Sequence, residues 1–194
     1  MTIKKIFFSI LFFSAFSVTM AQETKWNIDK SHSSVAFEIS HFKIATVKGN
    51  FDDFSGSIKA DGEDFSKANV DFTIQATSIN TNQDDRDKHL RSADFFNVEQ
   101  NPEITFKSTS FSKKSDNEYS IKGNLTVNGI TEPFEFVGTF KGSFLHPRFK
   151  KTIGVFELAG SLPRLKYNIG SKYPTAALGE NVMISVNVEM IKEE

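Results

Sequence analysis

The chain contains no cysteine, so neither a disulfide framework nor a lipid attached at a cysteine is open to it. It must hold its fold with an apolar core alone. Walker loops, G-x-G-x-x-G and G-x-S-x-G are absent, which leaves nucleotide and nucleophilic chemistry without a motif. None of the four histidines, His32, His41, His89 and His146, sits at H-x-H or H-x-x-x-H spacing. No metal or cofactor is therefore expected. Asp85 and Asp87 hint at a calcium loop, but the glycine and terminal glutamate of an EF-hand are missing. A hydrolase built around His32, His41 or His89 remains the weakest of the functional alternatives.

Two further shortages narrow the class. The longest apolar run, residues 6–18, is 13 residues long and carries five phenylalanines, too short to span a bilayer comfortably. Lys4 and Lys5 precede it and Thr19-Met20-Ala21 follows, the layout of a secretory signal. Residues 1–21 are expected to be cleaved, leaving 22–194 as one exported domain, periplasmic or secreted. That mature chain carries 21 basic against 24 acidic residues, net −3, and lacks the basic excess usual in nucleic-acid partners. Sixteen of its aromatic residues are phenylalanine, against three tyrosines and one tryptophan, which describes an oily interior rather than an aromatic interface.

What is present is alternation. Val35, Phe37 and Ile39 repeat with period two, as do Val70, Phe72 and Ile74, then Ile121 and Leu125. Phe156 and Leu158 continue the pattern, and Ile184 and Val186 close it. The phase flips between Phe51 and Phe54, as a bulge or bend at Asp52-Asp53 would require. Asn128-Gly129 is a hairpin turn that sets Gly123 against Phe134 and Ile121 against Phe136. About eight strands result, with glycines recurring within them. An antiparallel meander of that size closes into a barrel or folds into a sandwich, and the glycines favour closure. A barrel of eight strands can hold one small ligand.

One stretch breaks the pattern. Residues 78–96 read as a charged helix, with Asp84, Asp85 and Asp87 placed four residues before Lys88, His89 and Arg91. Thr81 or Asn82 is expected to cap it, and Phe95 and Phe96 to anchor its exit in the core. Such an insert commonly covers an open barrel end. Arg164 either follows Leu162 onto the inward face, at a pocket mouth suited to an anionic head group, or reaches water because Pro163 breaks the phase. Residues 141–152 carry Lys141, Arg148, Lys150 and Lys151 and no acid. This basic loop is either simply solvated or suited to a phosphate or an anionic membrane surface.

Taken in order, W-N-I-D-x-x-H-S from Trp26, F-E-I-S-H-F from Phe37, V-K-G-N-F-x-x-F-S-G from Val47, S-I-N-T at Ser78, R-D-K-H-L-R-S-x-x-F-F from Arg86, P-E-I-T-F-K-S from Pro102 and L-T-V-N-G-I-T from Leu125 resemble the YceI-like family. The resemblance covers the mature chain. It implies an all-β fold, an extended eight-stranded antiparallel β-barrel of lipocalin-like form with a short helical insert. It also implies an apolar tunnel that binds polyisoprenoids or similar amphiphiles, and no catalytic residues. Where the family usually reads N-R-x-D-F-G, this chain has P-R-L-K-Y-N-I-G from Pro163 to Gly170. The expected function is transport, storage or sequestration of such a lipid. The rival is a filled barrel acting as a stress-related interaction module. Val35, Phe37, Ile39, Val70, Phe72, Ile74, Ile121, Leu125, Phe136, Phe156, Leu158, Ile184 and Val186 are expected to line the interior, with Arg86, His89 and Arg164 at a polar rim. The expected partner is an isoprenoid or other long-chain lipid, and a transient membrane contact and a homodimer are further associations to be tested.

Overall fold

The structure, a computed structural model, describes residues 23–193; the expected signal segment lies outside them. Eleven strand segments run in order: β1 (Glu23–Ile28), β2 (Ser34–His41), β3 (Ala45–Phe51), β4 (Phe54–Asp61), β5 (Asp64–Gln75), β6 (Ile79–Asn80), β7 (Glu103–Lys113), β8 (Glu118–Val127), β9 (Ile130–Leu145), β10 (Thr152–Pro163) and β11 (Leu178–Lys192). One helix, α1 (Asp84–Arg91), stands between β6 and β7.

These segments form eight staves of a closed antiparallel barrel. β11 closes it, pairing with β2 along its first part and with β1 near its end, Ile28 opposite Met190. β1 and β2 are therefore one interrupted stave. β3 and β4 form the second, and β5 and β6 the third, since β4 pairs with β1 while β3 pairs with both β2 and β6. The three breaks, at residues 29–33, 52–53 and 76–78, fall at one level of the wall.

Polar side chains close this seam, giving partners to backbone groups that the breaks leave off the ladder. Ser33 Oγ donates to the Asp29 carbonyl at 2.7 Å, and the Asp53 N–H donates to Ser78 Oγ at 3.0 Å. The phase flip read at Asp52-Asp53 is this break: it turns both Phe51 and Phe54 inward. The hairpin at Asn128-Gly129 has the register expected of it, with Gly123 opposite Phe134 and Ile121 opposite Phe136.

The helix differs from the sequence expectation in three ways. It occupies only Asp84–Arg91, because Ile79 still pairs as a strand with Phe51 and Asn82 takes a left-handed turn, φ 59°. Its cap is Gln83, whose side chain accepts the Arg86 N–H. And the three i,i+4 pairs do not form among the described residues. Asp87 is buried and accepts from Thr81, while Arg91 donates to the carbonyls of Thr77 and Ile79 at 2.8 and 3.0 Å. The charges tie the helix to the barrel rim instead of to one another.

Strand direction sorts the connections between two ends. The β2–β3 and β8–β9 turns, α1 and residues 164–177 lie at one end; the β4–β5, β7–β8 and β9–β10 turns lie at the other.

Candidate functional site

Alternation along closed strands puts every second side chain inside the barrel, and there the side chains leave a space. The cavity is about 160 Å³ and is lined by thirty of the described residues, of which only Arg164 is not hydrophobic. All thirteen residues that periodicity placed inward are on its wall: Val35, Phe37, Ile39, Val70, Phe72, Ile74, Ile121, Leu125, Phe136, Phe156, Leu158, Ile184 and Val186.

The end beside the β4–β5 turn is shut by aromatic rings. Trp26 packs on Phe65 with ring centres 5.3 Å apart, and Phe65 packs on Phe156 at 5.1 Å and Phe140 at 5.3 Å. Trp26 and Phe65 are fully buried, and the Trp26 indole N–H donates to the Gly62 carbonyl at 3.0 Å. Further up, rings lie over in-strand glycines. A Cβ at Gly49 would come within 2.5 Å of the Phe37 ring and 2.9 Å of the Asn80 carbonyl oxygen, and the backbone cannot give way to a larger residue.

The other end is covered by α1 and the loop after β10. Leu90, Phe95 and Phe96 from the helical segment face the cavity beside Ile169 from the loop and Leu178 at the start of β11. The two pieces are fastened to each other: Phe95 stacks on Tyr173 with centres 5.5 Å apart, the Gly170 N–H donates to the Asp94 carbonyl at 2.9 Å, and Lys172 meets Asp94 at 2.5 Å. The lysine ammonium beside Asp94 holds that carboxyl below its ordinary range. Sequence reasoning named Phe95 and Phe96 as anchors but missed Leu90, Ile169 and Leu178 as cavity wall. Leu90 lies on a short helix and Ile169 in irregular chain, where period two gives no signal, and Leu178 is parted from the alternation that begins at Val182 by a register shift in β11.

The three rim residues do different things. Arg164 is fully buried, and its five N–H groups end on five main-chain carbonyls: Gly179, Ile169, Gly170, Tyr173 and Leu178, at 2.7 to 3.0 Å. It neither reaches water nor keeps a donor for a head group. The strand ends at Pro163, and the 3-10 turn that starts at Arg164 draws the side chain into the loop it organises. Burial lowers its pKa, opposed by the Glu180 carboxylate. Arg86 donates to the Thr81 hydroxyl at 2.7 Å and the Thr81 carbonyl at 2.8 Å. His89 alone is exposed, its Nε2 lying 3.4 Å from the Tyr173 hydroxyl and 3.6 Å from Asp94.

The fold also assembles a group that spacing did not disclose. Asp29, His32 and Glu189 place their ligand atoms within 4.8 Å of one another at the seam. His32 Nδ1 stands 3.0 Å from Asp29, and the hydrogen bond and the two carboxylates raise the histidine's pKa. Asp29 also accepts the N–H and hydroxyl of Ser31, which lowers its own. An ion pair that braces the β1–β2 break accounts for all three.

Comparison with known proteins agrees with this architecture. The profile of the YceI-like domain matches residues 26–190. Protein YceI of Salmonella newport is 38 % identical over 173 residues, 88 % of this chain and 90 % of the relative. The crystal structure of the Campylobacter jejuni YCEI protein superposes with a TM-score of 0.71 at 28 % identity, covering 80 % of this chain and 90 % of that one. A polyisoprenoid binding domain from Saccharophagus degradans shares the fold at TM-score 0.65 and 13 % identity, covering 87 % of this chain and 98 % of that one.

Proposed function

The chain belongs to the YceI-like domain family, and from that premise we propose that it is exported and holds the apolar chain of a polyisoprenoid or similar amphiphilic lipid in its barrel. The YceI-like barrel is a binding-type fold, and the role is binding rather than catalysis. Residues 1–21 supply the export signal, and the periplasm or the exterior is the compartment.

One observation carries the reading. A core that keeps an apolar void of about 160 Å³ forgoes about 4 kcal/mol of packing relative to a filled one. A guest recovers that loss. Prenyl chains suit the wall, since burying a few hundred Å² at about 25 cal/mol per Å² yields several kcal/mol before ordering costs. The void accepts roughly a benzene-sized body as it stands. One isoprene unit fits directly, and a longer chain requires half-buried rings such as Phe37, Phe72 and Phe96 to turn aside.

The competing reading, a barrel filled by its own phenylalanines, draws on the same rings. Solvent extraction of the purified protein followed by mass spectrometry separates the two. A co-purifying prenyl lipid supports the carrier. Repeated absence, with no uptake of added prenyl alcohol, leaves the filled barrel.

A further inference from the structure

We propose that the β9–β10 hairpin is a foot that docks the barrel on an anionic lipid bilayer. Its tip exposes three large apolar side chains: Phe144 at 50 %, Leu145 at 61 % and Phe149 at 63 % of their surface. Exposed apolar residues scattered singly need no explanation, but these three lie within six positions of one tip. Arg148, Lys150 and Lys151 stand among them and form no ion pair among the described residues, whereas Lys141, further up β9, is bonded to Glu157 at 3.1 Å. The nearby carboxylates are engaged elsewhere. Glu63 accepts from Ser143 and faces Lys192, and Glu193 bonds Asn27 and Lys25, with Lys151 acting on it only at longer range.

The tip is also pre-shaped. His146 Nδ1 accepts the N–H groups of Arg148 and Phe149 at 3.3 Å each. The His146 and Phe149 rings stack with centres 4.6 Å apart, and the Arg148 guanidinium lies 5.5 Å above the Phe149 ring. A turn held in this form loses little freedom on binding.

Charge chooses the occupant. Apolar side chains ringed by cations suit the boundary between acyl chains and anionic head groups, where rings enter and cations meet phosphate. A second copy would bring the same three cations against these. The remainder of the chain is acidic, so the basic tip also orients the molecule toward an anionic surface. The foot projects from the end that Trp26 and Phe65 close, which turns the α1 lid away from the bilayer. Docking is independent of whether the barrel holds a guest.

Co-sedimentation with vesicles tests it. The purified protein is expected to pellet with phosphatidylcholine vesicles containing phosphatidylglycerol, to stay in solution with phosphatidylcholine alone, and to be released by salt. Each cation near an anionic surface adds about fivefold, so Arg148→Gln, Lys150→Gln and Lys151→Gln together should weaken binding on the order of a hundredfold. Phe149→Ser should weaken it as well. Ile44→Ser, at an equally apolar and exposed tip of the opposite end, should change nothing. All five positions are exposed, and melting curves confirm that each variant is folded. The proposal is overturned if the parent stays in solution at low salt, or if the triple variant binds like the parent. Loss with Ile44→Ser overturns it too, as does a dimer in solution that Phe149→Ser dissolves.

Discussion

Phe134 covers Gly160: a Cβ placed on residue 160 would stand 2.7 Å from the Phe134 ring and 3.0 Å from that of Phe136. The contact joins β9 to β10 across the inner face and fixes where two of the interior rings lie. Gly160→Val forces those rings aside. We expect a loss of about 1–3 kcal/mol in urea denaturation, the usual cost of overpacking a filled site. Adding Phe134→Leu should restore part of it, and strict additivity of the two changes would contradict the contact.

Arg164→Met should be far more damaging. Five carbonyls lose the guanidinium at once; Gly170 keeps the Tyr173 N–H, and each carbonyl left without a donor costs about 1–3 kcal/mol unless water reaches it. A loss of at least about 3 kcal/mol is expected. Arg164→Lys should recover less than half, because three donors on one nitrogen cannot reach a ring of five acceptors. Amide exchange reads the local effect, with faster exchange at Gly170 and Tyr173 in both variants.

Asp87 tests the fastening of the helix. Its carboxylate accepts the Thr81 N–H at 2.9 Å and the Thr81 hydroxyl at 2.5 Å. Bonds to a charged acceptor are worth about 1.5–3 kcal/mol. Asp87→Ala should cost that order of stability and expose Asp84–Arg91 to proteolysis, whereas Asp84→Ala, on the exposed side, should do neither.

The His32–Asp29 pair sets a pH dependence. His32 titrates above its ordinary value, so its contribution is complete below about pH 6.5 and fades as pH rises through the folded pKa. Asp29 titrates below its ordinary value, so its contribution is complete above that value and fades as pH falls through the folded pKa. The pair is fully formed between these limits. Melting temperature should therefore decline from pH 5.5 toward pH 8, by more in the parent than in His32→Gln. Parallel profiles would remove the pair from the account.

The barrel was legible because its physics is periodic. Strict alternation placed Val35, Phe72 and Val186 inside, and a single turn, Asn128-Gly129, fixed the register of β8 and β9 without any tertiary knowledge. The helix was only half legible. Charge spacing marked it, yet the same charges serve carbonyls and a threonine several residues away, and helical periodicity carries no information about such partners. Arg164 shows where phase stops helping: once Pro163 ends the strand, the side chain's direction is decided by the loop carbonyls it collects. The meeting of Asp29 and His32 with Glu189 depends on closure of the first stave on the last, which spacing along the chain cannot reveal.

The central claim is that the interior is an empty place for a guest, and filling it is the direct test. Val186→Phe adds bulk to the cavity wall without a polar group. Calorimetric titration with geranylgeraniol should show the parent taking up one equivalent with a negative heat-capacity change, the mark of apolar burial. Val186→Phe should melt no lower than the parent and take up none. A parent that binds nothing, or a filled variant that binds as well as the parent, would contradict the account.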